Sequence, residues 1–204
     1  MPLGLEMVAR GLMTPRQLRM IAEQKQPGAC DSGELFVQNG FVTEMQVTAA
    51  RAKLWGCPVY NPPPRMIRTE VHIPPVFENS SLVLPMHYVA ATKQLLLGFL
   101  RSVDYELMFA LETMTGCTAK ACFIKPSDFF FHQTHAHQKA SPDQDVSNEM
   151  IFNNTHTAGE RARILCNYGA RLNADRVKIT LCKNYLWARL YEGTGVFDLL
   201  FRVD

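Results

Sequence analysis

The sequence predicts an α+β protein: an N-terminal module of short helices built from a tandem repeat, followed by small α/β layers. Two observations carry this expectation. First, a stretch of chain recurs at a displacement of 29 positions, placing Gly4 on Gly33, Val8 on Val37, Gly11 on Gly40, Thr14 on Thr43 and Gln17 on Gln46. The apolar positions follow in class, Met7 with Phe36, Leu12 with Phe41, Met13 with Val42 and Leu18 with Val47. A fixed displacement of this kind marks a duplicated supersecondary unit. Second, beyond residue 80 the apolar pattern changes to short Val-, Leu-, Phe- and Tyr-rich runs separated by turn residues, interrupted by two helical stripes.

Each repeat has readable mechanics. Gly11 and Gly40 stand where a short helix ends, a position that favours a left-handed residue followed by an apolar one. Thr14 and Thr43 then open a second helix, with Gln17 and Gln46 three residues on, the pattern of a capping box. Pro15 takes the first helical position, where its missing N–H leaves nothing unsatisfied. Residues 1–60 are therefore expected to form the tandem helical module.

Residues 61–131 are expected to form an α/β unit. Asn61-Pro62-Pro63-Pro64 imposes extended backbone, and the stretch to residue 80 is read as a connection. Leu82 to Ala91 and Gln94 to Leu100 make a β-hairpin around Ala91-Thr92-Lys93. Val103 to Thr115 places Val103, Leu107, Ala110, Leu111 and Met114 on one helical stripe, stopped by Gly116. Ala119 to Lys125 returns as a strand ended by Pro126. Residues 132–149 are polar without apolar period and read as a linker. In it, His132, His135 and His137 lie at spacings that fit neither one helical face nor a metal site with supporting Cys or carboxylate ligands.

The last segment, 150–204, is expected to be a helix plus three strands. Ala158 to Leu172 reads as a helix capped by Thr157, with Ala162, Leu165, Cys166, Gly169 and Leu172 on its apolar stripe. Strands are expected over Val177 to Cys182, Tyr185 to Tyr191 and Val196 to Arg202, the first two joined by a tight turn at Lys183-Asn184.

The stretches Leu3-Gly4-x-x-Met7-Val8-x-x-Gly11-Leu12-Met13-Thr14 and Gly33-x-x-Phe36-Val37-x-x-Gly40-Phe41-Val42-Thr43 resemble the tandem motif of the N-terminal (MshEN) domain of type II secretion and type IV pilus assembly ATPases. The resemblance continues through Leu54-Trp55-Gly56-Cys57-Pro58-Val59-Tyr60, Val83-Leu84-Pro85, the apolar run Leu95 to Leu100, Asp104 and Met114-Thr115-Gly116 to a strand closing near Lys125. The segment from Asn173 to Gly193 resembles, more weakly, the second N-terminal domain of the same ATPases. In some members the tandem motif binds cyclic di-GMP, with an Arg opening each copy and a Gln closing it. The resemblance thus implies a dinucleotide surface made of Leu3, Gly4, Met7, Val8, Gly11, Met13 and Gln24, with Gly33, Phe36, Val37, Gly40 and Val42 from the second copy. This chain departs from that pattern. Its copies open on Pro2 and Asp31, and the second closes on Leu54, while Gln24 closes the first about one residue out of register. Arg is the side chain suited to stacking on guanine and forking onto its acceptors. Its loss from both copies, with a carboxylate at Asp31, favours retention of the motif for folding.

Composition narrows the function. The chain has 204 residues, 47% hydrophobic and 20% charged, with a net charge of +2, an ordinary globular profile that gives no basic stripe for nucleic acid. The start, Met1-Pro2-Leu3-Gly4, does not read as a signal peptide, and the longest apolar run is far too short to span a bilayer. The six cysteines, Cys30, Cys57, Cys117, Cys122, Cys166 and Cys182, form no Cys-x-x-Cys pair and read as reduced structural thiols. There is no Gly-x-x-x-x-Gly-Lys-Ser/Thr phosphate cradle, no Gly-x-Ser-x-Gly elbow and no His-Glu-x-x-His helix. Asp104 and Glu106 read as helix-opening carboxylates, and Trp55 and Trp187 as core or interface aromatics. The expectation is a non-catalytic, cytoplasmic accessory or regulatory protein without cofactor or metal. It would dock a protein partner of a secretion or pilus assembly machine. The alternative is a cyclic di-GMP receptor with a degenerate motif.

Overall fold

The structure, a computed structural model, describes residues 3–24, 31–61, 71–137, 149–153, 156–193 and 195–203. Pro2, Cys30, the triple proline and residues 138–148 of the expected linker lie outside the described residues.

Four helices open the chain: α1 (Leu3–Ala9), α2 (Pro15–Gln24), α3 (Ser32–Gln38) and α4 (Glu44–Trp55). The two turns between the paired helices close identically. Leu12 N–H reaches the Met7 carbonyl at 3.0 Å and Gly11 N–H that of Val8 at 2.9 Å; Phe41 and Gly40 repeat this onto Phe36 and Val37 at 3.1 and 2.9 Å. This is the Schellman pairing, made possible by φ of +67° at Gly11 and +69° at Gly40. Both capping boxes form: Gln17 Oε1 accepts from Thr14 N–H at 2.8 Å and Gln46 Oε1 from Thr43 N–H at 2.8 Å. The reciprocal bonds to the Thr hydroxyls are 3.2 and 3.3 Å. Equivalent residues also meet across the crossings. A Cβ on Gly4 would strike Leu18, and one on Gly33 would lie 2.8 Å from Val47 Cγ1. The glycines let each first helix lie directly on the second. Met7, Met13, Ile21, Phe36, Val42, Val47 and Ala50 form the shared core.

The first sheet has the order β1 (Val83–Val89), β2 (Gln94–Phe99), β3 (Thr118–Phe123), antiparallel then parallel. Strand alternation sends Leu95, Leu97 and Phe99 toward Leu107, Ala110, Leu111 and Met114 of α6 (Tyr105–Thr115). The opposite face, with Leu84, Met86, Cys122 and Ile124, packs on Phe129 of α7 (Pro126–His137). Chain leaving α4 joins this sheet directly: Val59 bridges Phe123, and Tyr60 N–H donates to the Phe123 carbonyl at 2.8 Å.

Two expectations change here. The connection 61–80 contains a helix, α5 (Pro75–Ser81), whose Phe77 is fully buried. The linker begins helical, because Pro126 both ends the strand and opens α7. His132 is buried in that helix, not solvated. Of the adjacent Phe129, Phe130 and Phe131 only Phe129 is buried against the sheet, so the helix shows no apolar stripe and its polar second half reads as linker.

Among the described residues the second sheet has four strands, not the expected three. Their order is β4 (Glu149–Phe152), β7 (Gly195–Arg202), β6 (Tyr185–Glu192), β5 (Arg176–Cys182). The added β4 pairs parallel with β7, Glu149 opposite Asp198. Four residues are too few to display an alternation, so only the pairing reveals them. Cys182, Trp187 and Leu200 enter the same core as Phe77, α6 and the first sheet. On the far face α8 (Ala158–Arg171) covers Ala188, Leu190, Leu199 and Phe201. The contacting residues of α8 are Ile164, Leu165, Tyr168 and Leu172, while Ala162 and Cys166 are exposed. The helix is therefore rotated relative to the predicted stripe, because Tyr168 and Ile164 bury more area than the small Ala162 and Cys166. The layers run α7, first sheet, α5 with α6, second sheet, α8. Trp187 is a core residue, while Trp55 is partly exposed against Tyr105, ring centroids 6.1 Å apart.

Thr14→Ala and Thr43→Ala are each expected to lower stability by about 0.5–2 kcal/mol, since each leaves a helix-opening amide without its acceptor. Urea titration of the two variants checks this, and two neutral results would contradict the capping assignment.

Candidate functional site

The sequence-derived residues do not form one surface. Met7, Met13, Phe36 and Val42 are core side chains, and Gly4 and Gly33 are consumed by the helix crossings. Leu3, Val8 and Val37 are half-buried, whereas Gly11, Gly40 and Gln24 are exposed. Gln24 accepts from Asn39 Nδ2 at 3.5 Å, so the closing residue of the first copy touches the end of α3 in the second.

The structure does gather part of the second copy. Gly33 and Val37 line a groove of about 150 Å³ between α3 and α4, together with Glu34, Glu44, Val47 and Arg51. Arg51, missed from sequence, is the central group. It is buried at 5% exposure. Its Nη1 donates to the Leu100 carbonyl at 2.7 Å, and its Nη2 pairs with Asp31 Oδ2. Burial, with Arg101 nearby, lowers its pKa to about 10. The one available signal was a cation set between Ala50 and Ala52 in a stretch that must face inward.

The rim carries the opposite sign. Glu34 pairs with Arg101 at 2.7 Å, and Glu44 accepts from Ser127 N–H at 3.3 Å. Asp31 thus does not stand free at the position where the resemblance implies an Arg. It neutralises a guanidinium supplied from inside the chain and holds it over Gly33. Glu34 and Glu44 line the groove, where like charge disfavours an anion, an effect that the Arg101 partner of Glu34 partly offsets.

A second polar cluster lies between the sheets. Asp198, fully buried, accepts from Arg189 Nε and Nη2 at 2.8 Å each and from Trp187 Nε1 at 2.7 Å. Arg189 Nη2 also donates to the His72 carbonyl at 2.9 Å. A two-pronged pair with every carboxylate oxygen used is a structural arrangement. Below it, burial and then the nearby Glu149 push Glu78 of α5 up to about 7. Among the described residues no three His, Cys, Asp or Glu side chains are placed to hold a metal ion, and no helix is long and apolar enough to cross a membrane.

No protein-family profile matches the chain, and no curated protein matches it. Solved structures do. The chain is similar to a structure of MshE with cdg, at TM-score 0.52 and 15% identity, over 66% of this chain and 98% of that one. Two structures of the XpsE N-terminal domain give TM-scores of 0.44 and 0.33 at 14% and 17% identity. They cover 64% and 60% of this chain and 90% and 86% of theirs. At that identity the likeness to MshE establishes a shared fold. The XpsE scores add no further argument.

Two outcomes are expected from these charges. Asp31→Ala should cost about 1–3 kcal/mol by leaving a buried guanidinium with one carbonyl, and adding Arg51→Met should recover part of it; chemical denaturation of the single and double variants reads both. Glu78 has a raised folded pKa, so its favourable neutral state is complete below about pH 4 and lost as pH rises through 7. Glu78→Gln should therefore stabilise by about 2–3 kcal/mol at pH 8 and do little at pH 4; equal effects at both pH values would contradict the burial of a charge there.

Proposed function

We propose that this chain is a non-catalytic accessory or regulatory protein that works in the cytoplasm by docking a protein partner of a secretion or pilus assembly machine. The observation that carries this reading is the Asp31–Arg51 pair, which fills the second copy of the tandem motif from within. The module keeps the turns, caps and crossings needed to fold. It also presents exposed apolar side chains at Leu5, Met20 and Met45, of the kind protein partners cover. The sequence holds no nucleotide cradle, so neither ATP turnover nor specific ATP binding is part of the proposal.

A second reading, a cyclic di-GMP receptor, is favoured by one observation, the fold shared with MshE, whose structure contains cdg. It weighs less. Each missing charge-assisted contact is worth about 1.5–3 kcal/mol, so two lower affinity by roughly two to four orders of magnitude.

Two measurements test the proposal. Calorimetric titration with cyclic di-GMP is expected to give no heat of binding at low-micromolar dinucleotide; a saturating signal there would install the receptor reading in its place. A photo-cross-linking amino acid at position 5, 20 or 45, in cells of the source organism, is expected to capture a pilus or secretion component identifiable by mass spectrometry. Capture at none of the three positions would overturn docking through this module.

A further inference from the structure

The far end of the molecule carries a groove that the tandem module does not use. It has a volume of about 450 Å³ and is lined by Phe152 of β4 and by Ile164, Asn167, Tyr168, Ala170 and Arg171 of α8. Strand β4 is an edge of the second sheet, paired among the described residues with β7 alone. Its Met150 and Ile151 are exposed. The floor is aromatic: Phe152 stacks on Phe201 with centroids 4.8 Å apart, and Tyr168 on Phe197 at 5.9 Å. The Tyr168 hydroxyl donates to Met150 Sδ at 2.7 Å, tying helix to strand.

We propose that this groove receives an extended segment of a protein partner, added as a strand beside β4, with apolar side chains in the groove and an acidic residue against Arg171. A strand edge alongside an apolar slot is the arrangement that recognises extended peptides: main-chain hydrogen bonds hold the backbone and the slot reads alternate side chains. A small molecule would use the slot and ignore the edge. Charge selects the acid. The Arg171 guanidinium, which lines the groove, is held over the Tyr168 ring, 5.6 Å from its centroid. The single acid of α8, Glu160, is already committed to the Thr157 capping box. The pairing length is short, because β4 has four residues, so two alternate side chains would enter the slot.

This inference rests on the reading that the chain acts by docking proteins, and its test is separable from that of the tandem module. A displayed library of random 12-residue peptides would be selected on the full chain and the enriched peptides measured by fluorescence anisotropy. Peptides with an Asp or Glu close to apolar residues at alternate positions are expected. Ala170→Trp, which fills the slot from an exposed position, and Arg171→Glu, which reverses its charge, should each weaken their binding about tenfold or more. Replacing the peptide acid by Lys should restore affinity for Arg171→Glu. Failure to enrich any peptide, enrichment without acids, or binding indifferent to both substitutions would overturn the groove assignment. Cross-linking from positions 5, 20 and 45 would be unaffected by any of these results, which leaves the fate of the docking reading to its own experiment. Circular dichroism of both variants verifies that each is folded.

Discussion

Helix α6 is the constraint on which the rest of the structure depends, because it must satisfy two sheets at once. One side gives Leu107, Leu111 and Met114 to the first sheet, and the same core takes in Cys182, Trp187 and Leu200 of the second. An apolar helix between two sheets gains burial from both, yet apolar contact alone would let it slide. Polar contacts at its two ends fix the position. At the N-terminus Asp104 accepts from Leu107 N–H at 3.0 Å and from Ser81 Oγ at 2.7 Å, with Lys183 Nζ at 3.1 Å. These donors hold its carboxyl below the usual range against the opposing effect of burial. At the C-terminus Lys178 Nζ donates to the Thr113 and Met114 carbonyls at 2.9 Å each, where a cation complements the negative end of the helix dipole. Both cations come from the second sheet and its β5–β6 turn, so the ends of one helix set how that sheet lies.

The tandem module is coupled to this stack by charge. Arg51 reaches the Leu100 carbonyl just past β2, Glu34 reaches Arg101 and Glu44 the first turn of α7. In a module whose own core is only seven buried side chains, such contacts hold the helices against the sheet. Asp31 is the acidic half of an internal pair with Arg51. The groove beside it has an acidic rim. Among the exposed apolar side chains are Leu5, Met20 and Met45 of the module and, at the other end of the chain, Met150 and Ile151 of β4 beside the α8 groove.

The features legible in the sequence are those closed by a few neighbouring residues. Thr14 with Gln17, Thr43 with Gln46 and Thr157 with Glu160 make their capping boxes within three positions, and Gly11 and Gly40 end their helices by bonds spanning five residues at most. The hairpin, α6, β3 and the last three strands were readable because their apolar period is complete within the element. Helix α5, the α7 extension and β4 were not. Helix α5 offers Val76 and Phe77 and the α7 extension Ala136 alone, while β4, apolar at three of its four positions, is too short to show a period; what stabilises them is the surface they land on.

By itself, then, the sequence determined the duplicated helix-turn-helix units, the hairpin, α6, β3, α8 and the last three strands, and the α+β class, all through hydrogen bonds and periodicities of short range. Tertiary structure decided which face of α8 is buried, that β4 joins β7, and that Arg51 turns inward to meet Asp31 twenty residues earlier. Those outcomes depend on what distant segments present in space: an unpaired edge, a sheet face of given shape, a carboxylate able to offset a desolvated cation. A local pattern cannot encode a partner that the chain supplies only after it has folded.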